Sequence, residues 1–278
     1  MRKKSRNWLL FVTFVITVAA IIAAPQYLTP RWSLTAVYLA ITGFMIAVCT
    51  LITGNPWSLL LTQLNTMSLS RAQTILWTIL VVGSYICLSF AHMSIVQIPG
   101  SVLGLIAVSV GSSVAASVVM SNKTGKDADP AEIAASQAKN GEGASASGTA
   151  FAWSDPHYAS LADMLEGDEL ADAHTVDLAK VQMFFFTLAG AVVYAGMVYN
   201  SLTSAKPVTT LPDLPQQLII LMGMSHTGYL GGKMVNRTDE AAIAPSVQPP
   251  QPSAPAPVVT PAGPQPAAPG ATTLPISQ

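Results

Sequence analysis

The sequence predicts an all-α integral membrane protein with about six transmembrane helices. Of its 278 residues, 51% are hydrophobic and only 10% are charged, which is too few charges to cover a soluble globule of this length. A helix needs about 20 apolar residues to cross the hydrocarbon layer of a bilayer. Six segments approach or reach that length: residues 8–24, 32–52, 71–91, 96–120, 180–199 and 215–232.

The first two segments lie in residues 1–53, which we expect to form an N-terminal hairpin of two spans. Four bases precede the first segment, so it can be either a retained span or a cleaved signal peptide. Residues 54–67 are interrupted by Gly, Asn, Pro and Gln and are too short to span. They are typical of a segment that lies in the membrane interface, with Trp57 as its anchor.

A pattern at the start of the third segment recurs at the start of the fifth. Residues 68–78 read SLSRAQTILWT and residues 177–187 read DLAKVQMFFFT. A capping residue, Leu, a small residue, a base, Gln, an aromatic residue and Thr coincide at a spacing of 109. We interpret residues 68–120 and 177–235 as two copies of a membrane hairpin. The copies are parallel because each crosses the membrane twice.

The basic residues predict the orientation. Eleven Lys and Arg residues fall on the side of the amino terminus, and only Arg31 and Lys206 fall on the other. Loops on the cytoplasmic side carry an excess of Lys and Arg, so we expect both termini to be cytoplasmic. The formal net charge of −1 hides this asymmetry and says nothing about nucleic acid, so the distribution of the charges is the informative quantity.

The cytoplasmic loop, residues 121–176, divides into two parts by composition. Residues 127–149 are rich in Ala, Gly and Ser and predict a linker. Residues 151–176 mix aromatic and acidic side chains and predict an amphipathic helix beneath the bundle. The Pro/Ala-rich residues 236–278 predict a disordered tail, either a solubilising segment or a docking strip for a partner.

The repeated pattern contains candidate anion or lipid-headgroup residues. Arg71 and Lys180 lie at helix starts, where the helix dipole disfavours a cation, so another attraction must compensate. Free amides at a helix start bind anions, and Gln73 and Gln182 can add donors, which indicates anionic lipid phosphate. General anchoring by positive charge, without a defined site, is the alternative.

Polar residues at membrane depth are the other candidates, because each costs free energy in hydrocarbon unless it faces a partner or water. They are Thr78, Ser109, Thr187, Ser225 and His226. Thr78 and Thr187 can bond back to carbonyls of their own helices. His226 can be an interior histidine bonded to Ser109 or Thr187, a gating or proton-carrying group, or a cofactor ligand. The chain shows no catalytic or metal-binding motif, so we expect neither an enzyme nor a cofactor.

Three segments carry a resemblance: SLSRAQTILWT, GDELADAHTVDLAKVQMFFFTL and LPDLPQQLIILMGMSHTGYLGGK. They resemble segments of uncharacterised bacterial multi-pass inner-membrane proteins, over residues 66 to 235. The resemblance implies a bacterial inner membrane and transfers no activity to any residue.

Two function classes follow from these observations. The first is a membrane anchor or assembly subunit whose cytoplasmic loop and tail recruit a soluble partner. The second is an oligomeric channel or small transporter with a polar path past His226. No span contains a carboxylate, which a cation-coupled carrier ordinarily needs. The anchor is therefore favoured, as a homo-oligomer or within a larger membrane complex, and a nucleic-acid partner is not expected.

Overall fold

A computed structural model of the protein describes residues 3–235, and the fold is mostly helical (68%). The α-helices in this range are α1 (Lys3–Tyr27), α2 (Pro30–Thr53), α3 (Leu69–Ala91), α4 (Gly100–Thr124), α5 (Pro130–Asn140), α6 (Leu178–Leu202) and α7 (Gln216–Met234). Two antiparallel strands, β1 (Ala144–Ser147) and β2 (Ala150–Trp153), form a hairpin, and short 3-10 helices occupy Pro156–Tyr158 and Leu161–Met164. The disordered tail predicted for residues 236–278 lies outside the described residues.

Five of these helices, α1, α2, α3, α4 and α6, are long and apolar enough to cross a membrane. They support the prediction of a mostly helical membrane protein. The two-stranded sheet was not predicted. The sixth predicted span, residues 215–232, forms α7, but α7 is not among the helices that reach this hydropathy. Two glutamines, four glycines and the polar pair Ser225 and His226 lower its hydropathy.

Helices α3, α4, α7 and α6 form a four-helix bundle. Each contacts the next, and α6 closes the ring against α3. In the core, the rings of Trp77 on α3 and Tyr194 on α6 meet edge to face, with centroids 6.2 Å apart. These two side chains and Met222 of α7 are at most 1% exposed and belong to one apolar cluster.

The two patterned segments begin helices at the positions that the pattern predicts. α3 begins at Leu69 and α6 at Leu178, 109 residues apart. The side chain of Asp177 caps α6 by accepting hydrogen bonds from two amides of its first turn, whereas Ser68 precedes α3 without such a bond. Matching helix starts agree with a duplication without showing a common origin, so the duplication stays a prediction.

The N-terminal hairpin packs on α3 through α2. The ring of Tyr38 lies directly on Gly83, where a Cβ atom would come within 2.6 Å of the ring. The Tyr38 hydroxyl also shares a hydrogen bond of 2.8 Å with the Ser84 hydroxyl. α1 is more peripheral, because Ala24 is its one buried hydrophobic residue among those described, and Trp8 is 65% exposed. Such an apolar surface is suited to lipid.

The loop between α4 and α6 differs from its prediction in both parts. The linker predicted for residues 127–149 is wrong, because α5 and β1 lie there. The amphipathic helix predicted for residues 151–176 is also wrong, because that segment holds β2 and two 3-10 helices. Phe151 and Trp153 meet with ring centroids 5.0 Å apart and form a small core. The Ala-rich linker folds because these neighbouring aromatic side chains supply the apolar surface that it lacks.

The folded loop packs against the predicted interfacial segment, residues 54–67. The amide of Trp153 donates to the Leu64 carbonyl at 2.9 Å, and the Trp153 carbonyl accepts from Asn65 Nδ2 at 2.8 Å. We call residues 54–67 and 125–176 together the cap. The cap adjoins the ends of the bundle at which α3 and α6 begin and α4 and α7 finish.

Candidate functional site

A polar layer crosses the four-helix bundle at the depth of the predicted intramembrane residues. From α3, Gln73 Nε2 donates to Thr187 Oγ1 of α6 at 2.5 Å and to the Met183 carbonyl at 3.3 Å. Gln73 and Thr187 are 2% and 3% exposed. Gln73 therefore links two helices and does not face lipid, which corrects its assignment as a headgroup donor.

His226 belongs to the same layer, but its partner is not one of the two expected. Its Nδ1 lies 2.8 Å from the Ser112 hydroxyl of α4, whereas Ser109 or Thr187 had been predicted. Ser112 donates its own proton to the Ser109 carbonyl at 3.1 Å. A serine hydroxyl has one proton, so in the arrangement in which Ser112 donates to this carbonyl, its oxygen accepts from the histidine and the ring proton is on Nδ1.

Four side-chain atoms of this layer are buried without a hydrogen-bond partner among the described residues. They are Gln73 Oε1, Ser109 Oγ, Ser225 Oγ and His226 Nε2. Thr78 is satisfied, as predicted, by donating to the Thr74 carbonyl of its own helix at 2.7 Å. Buried polar atoms are ordinarily paired with protein or with ordered water, so this layer is suited to hold small polar molecules such as water.

The polar layer lies between two apolar layers. One helical turn towards the cap, each helix contributes to a cluster that includes Leu69, Ala116, Met183 and Tyr229. One turn in the opposite direction, the helices contribute to the core that contains Leu105, Trp77, Ala191 and Met222. All eight side chains are buried, so packed side chains flank the polar layer on both sides within one copy of the chain.

Buried ion pairs join the cap to the bundle. Asp168 of the cap accepts from Lys180 Nζ of α6 at 3.0 Å and from Lys233 Nζ of α7 at 2.7 Å. The two lysine side chains are 4% and 7% exposed, and that of Asp168 is 20% exposed. Lys233 also donates to the Tyr229 hydroxyl at 3.2 Å.

The electrostatics of this triad are strongly coupled. Burial by itself raises the pKa of Asp168, but attraction to Lys233 and Lys180 outweighs it and holds this pKa well below its ordinary value of 3.8. Burial lowers the pKa of Lys233, but attraction to Asp168 and Tyr229 outweighs it and holds this pKa above its ordinary value of 10.5. Asp168 and Lys233 are therefore both charged at neutral pH.

A second buried pair joins α4 to the cap. Lys123 Nζ contacts Glu169 Oε1, and the two side chains are 6% and 2% exposed. Lys123 also donates to the Val235 carbonyl, just beyond α7, at 3.3 Å. The ends of α4, α6 and α7 that face the cap thus each place a lysine on a cap carboxylate.

The four predicted headgroup residues are not brought together. Lys180 binds Asp168 and the Glu166 carbonyl, so its cation is neutralised by protein and not by lipid. Gln182 is exposed on α6, whereas Gln73 is buried. Arg71 is half-buried beside the cap and donates to a carbonyl of the cap. The patterns diverge because the start of α3 contacts one cap segment and the start of α6 contacts another.

Asp168, Glu169 and Ser112 are site residues that the sequence reasoning did not identify. The acidic run GDELAD immediately precedes the second pattern, and its closeness to Lys180 was the available signal. Acidic side chains in a loop are ordinarily solvated, so burial of Asp168 and Glu169 could not be inferred without their partners from distant helices.

No protein-family model, curated protein or solved structure matches this chain. Within residues 3–235, no group of three His, Cys, Asp or Glu side chains is placed to hold a metal ion. A function therefore has to be inferred from the polar layer, the ion pairs and the cap.

Proposed function

We propose that this protein is an integral membrane anchor or assembly subunit, whose cytoplasmic cap and tail recruit a soluble partner. The observation that carries the proposal is the attachment of the cap to three helices by buried ion pairs. Buried pairs add little net stability compared with apolar contacts, but they can specify one arrangement of the groups that they join. A cap held in one orientation is suited to present a surface to a partner.

The proposal includes six spans in a bacterial inner membrane, with both termini cytoplasmic. α7 serves as the sixth span because it lies between α4 and α6 in the bundle, and because Ser225 and His226 are buried there. The distribution of Lys and Arg supports the orientation, and the bacterial inner membrane is what the resemblance of residues 66 to 235 implies. The matching starts of α3 and α6 support two parallel repeats.

The closed bundle also favours an anchor over a conducting pore. An ion path needs water or polar groups along its whole length. Here the polar layer is bounded by apolar clusters on both sides. One copy of the chain therefore places large buried side chains, among them Trp77 and Met183, on both sides of the polar layer.

The partner surface can be tested by photocross-linking in cells. Leu161 is a cap residue with 67% of its side chain exposed, and Leu103 on α4 is a matched leucine that is 52% exposed. A photoreactive amino acid at position 161 is expected to form adducts with a soluble protein, whereas one at position 103 is expected to contact lipid. Adducts at neither Leu161 nor the neighbouring exposed Tyr158 would contradict recruitment by this surface.

The second candidate is an oligomeric channel or small transporter, favoured by the unpartnered polar atoms around His226. Protonation of a histidine that lines such a path would change ion flux between about pH 5 and 8. The variant His226→Gln can still donate an amide hydrogen bond to Ser112 but cannot titrate. Flux of reconstituted liposomes at several pH values separates the classes. A titration lost in His226→Gln would overturn the anchor proposal, and silent vesicles of folded protein would oppose the channel.

A further inference from the structure

A cavity of about 180 Å³ lies between the start of α3, the last turns of α4 and the cap. Its lining is rich in hydroxyl groups, from Thr62, Ser68, Ser70, Ser117, Ser121 and Thr124. Arg71 and Lys233 also line it, and among residues 3–235 no acidic side chain does. Hydroxyl donors and cations without a carboxylate are the chemistry that binds a phosphate group.

The two bases of this cavity differ in how far they are neutralised. Lys233 already pairs with Asp168. Arg71 donates from Nη1 to the Leu61 carbonyl, a neutral acceptor, and no carboxylate within residues 3–235 forms an ion pair with it. A guanidinium has five N–H donors and matches phosphate geometry with two of them. Arg71 therefore supplies an uncompensated charge to the cavity.

An open groove between α3 and α4 continues from this cavity. The two share Arg71, Ser117 and Ser121. Along α4 the groove extends to Val118 and Val114, which are 57% and 59% exposed. The seven helical steps from residue 121 to residue 114 cover roughly 10 Å at the rise of an α-helix, so the groove runs from the cap side along the spanning part of both helices.

We propose that the cavity binds the phosphate of an anionic phospholipid, with one acyl chain of the same molecule in the groove. The occupant follows from charge complementarity at Arg71 and from an apolar groove that begins at the same residue. Phosphatidylglycerol has this chemistry: one net negative charge on its headgroup, joined to chains that lie along transmembrane helices. The site does not depend on the proposed function, since a channel could hold the same lipid.

The proposal replaces two equivalent headgroup sites with one. At the second pattern, Asp168 occupies the position that lipid phosphate was predicted to take beside Lys180. At the first pattern, the cap offers Arg71 a carbonyl in place of a carboxylate. Of the two patterned bases, Arg71 at the start of α3 is therefore the one whose charge remains to bind lipid.

Native mass spectrometry of the full chain in detergent provides the test. The probes are phosphatidylglycerol, phosphatidylcholine of the same chains, and inorganic phosphate. Phosphatidylglycerol is expected to bind to one site at least tenfold more tightly than phosphatidylcholine, because only the former adds a net charge to the Arg71 contact. Inorganic phosphate is expected to bind far more weakly than the lipid, since it leaves the groove empty.

Two variants probe the halves of the site separately. Arg71→Gln should weaken phosphatidylglycerol binding by roughly tenfold or more, which is the size of a lost charge-assisted hydrogen bond. Val118→Trp should obstruct the groove and weaken it while leaving every charge in place. Lys206→Gln, a charge removal at an exposed position far from the cavity lining, is the control and should bind as the unmodified chain does.

The binding measurements distinguish a phospholipid site from a site for a soluble anion. Circular dichroism and gel filtration first establish that each variant is folded, and Val118→Trp keeps the test informative if Arg71→Gln does not fold. Equal binding of both phospholipids, unchanged binding in both variants, or inorganic phosphate binding as tightly as the lipid would each overturn the proposal. The last result would instead assign the cavity to a soluble anion.

Discussion

Replacing Asp168 by Asn tests whether the cap is held by its buried ion pairs. Asn keeps the size of the side chain but removes the charge shared by Lys180 and Lys233. At an effective dielectric constant of about 20, unit charges 3.0 and 2.7 Å apart attract each other by about 5 to 6 kcal/mol each. Desolvation and the repulsion between the two lysines offset most of this attraction.

The net loss of stability in Asp168→Asn depends on Lys180 and Lys233, which remain in place without the carboxylate. Removing one partner of a buried pair leaves an uncompensated charge and typically costs about 3–5 kcal/mol. This loss of stability makes local opening of the cap easier by the same free energy. Amide exchange in the β1–β2 hairpin should therefore accelerate by roughly 100-fold or more. Hydrogen–deuterium exchange with mass spectrometry, on protein in detergent micelles, measures this acceleration. Glu142→Gln, which neutralises an exposed cap carboxylate, is the control and should leave exchange unchanged.

The pH dependence gives an independent check with a defined sign. The pKa of Asp168 in the folded protein lies below its ordinary value of 3.8. Its contribution to stability is therefore fully present above about pH 4 and is lost as the pH falls through the lower pKa of the folded state. After division by the intrinsic amide exchange rate, which itself falls on acidification, the opening equilibrium of the cap should rise as the pH falls in the unmodified protein, whereas Asp168→Asn should lack this component. If the β1–β2 hairpin of Asp168→Asn exchanged its amides at the rate of the unmodified protein, the proposal that ion pairs hold the cap would be refuted.

The remaining predictions concern helix packing and topology. Gly83→Ala should lower the unfolding free energy by about 1–3 kcal/mol, because the new methyl group meets the tyrosine ring of α2. Gly104→Ala, where no atom lies within 4 Å of the added Cβ, is the control in thermal unfolding. Gln73→Ala should lower the unfolding free energy by about 1 kcal/mol, the size of an interhelical hydrogen bond in a membrane. Gln182→Ala, at an exposed position, should be nearly neutral. Equal losses of unfolding free energy would mean that the two positions are equivalent. Reporter fusions at the carboxyl terminus should read cytoplasmic and one near Lys206 periplasmic; a periplasmic carboxyl terminus would contradict six spans.

Local pattern was sufficient to predict the helices of the membrane part. The start of α6 follows from a capping residue placed directly before an apolar run, and the start of α3 from the apolar run that follows Ser68; both signals are properties of neighbouring residues. The class of the protein followed in the same way, since long apolar helices and few charges suit a membrane whatever their arrangement. Polar residues at depth were also identified correctly as interior groups at Thr187 and His226, because hydrocarbon penalises them elsewhere.

The partners of those residues could not be predicted from sequence. Gln73 and Gln182 occupy the same place in the repeated pattern, yet one is buried between helices and the other is exposed. Position along a helix determines which residues share a face, but not which neighbour that face meets. The bonding of His226 to Ser112 instead of Ser109 reflects the same limit, as it depends on how α7 is rotated against α4.

The sequence by itself determined that this chain belongs in a membrane and where its helices α3 and α6 begin. Only the tertiary structure decided the fold of the cap and the identity of its ion pairs. Hydropathy and capping act over a few residues, so they can be read along the chain. The pairing of Asp168 with Lys233 joins groups 65 residues apart in sequence, and its favourable energy exists only when packing has removed both from water.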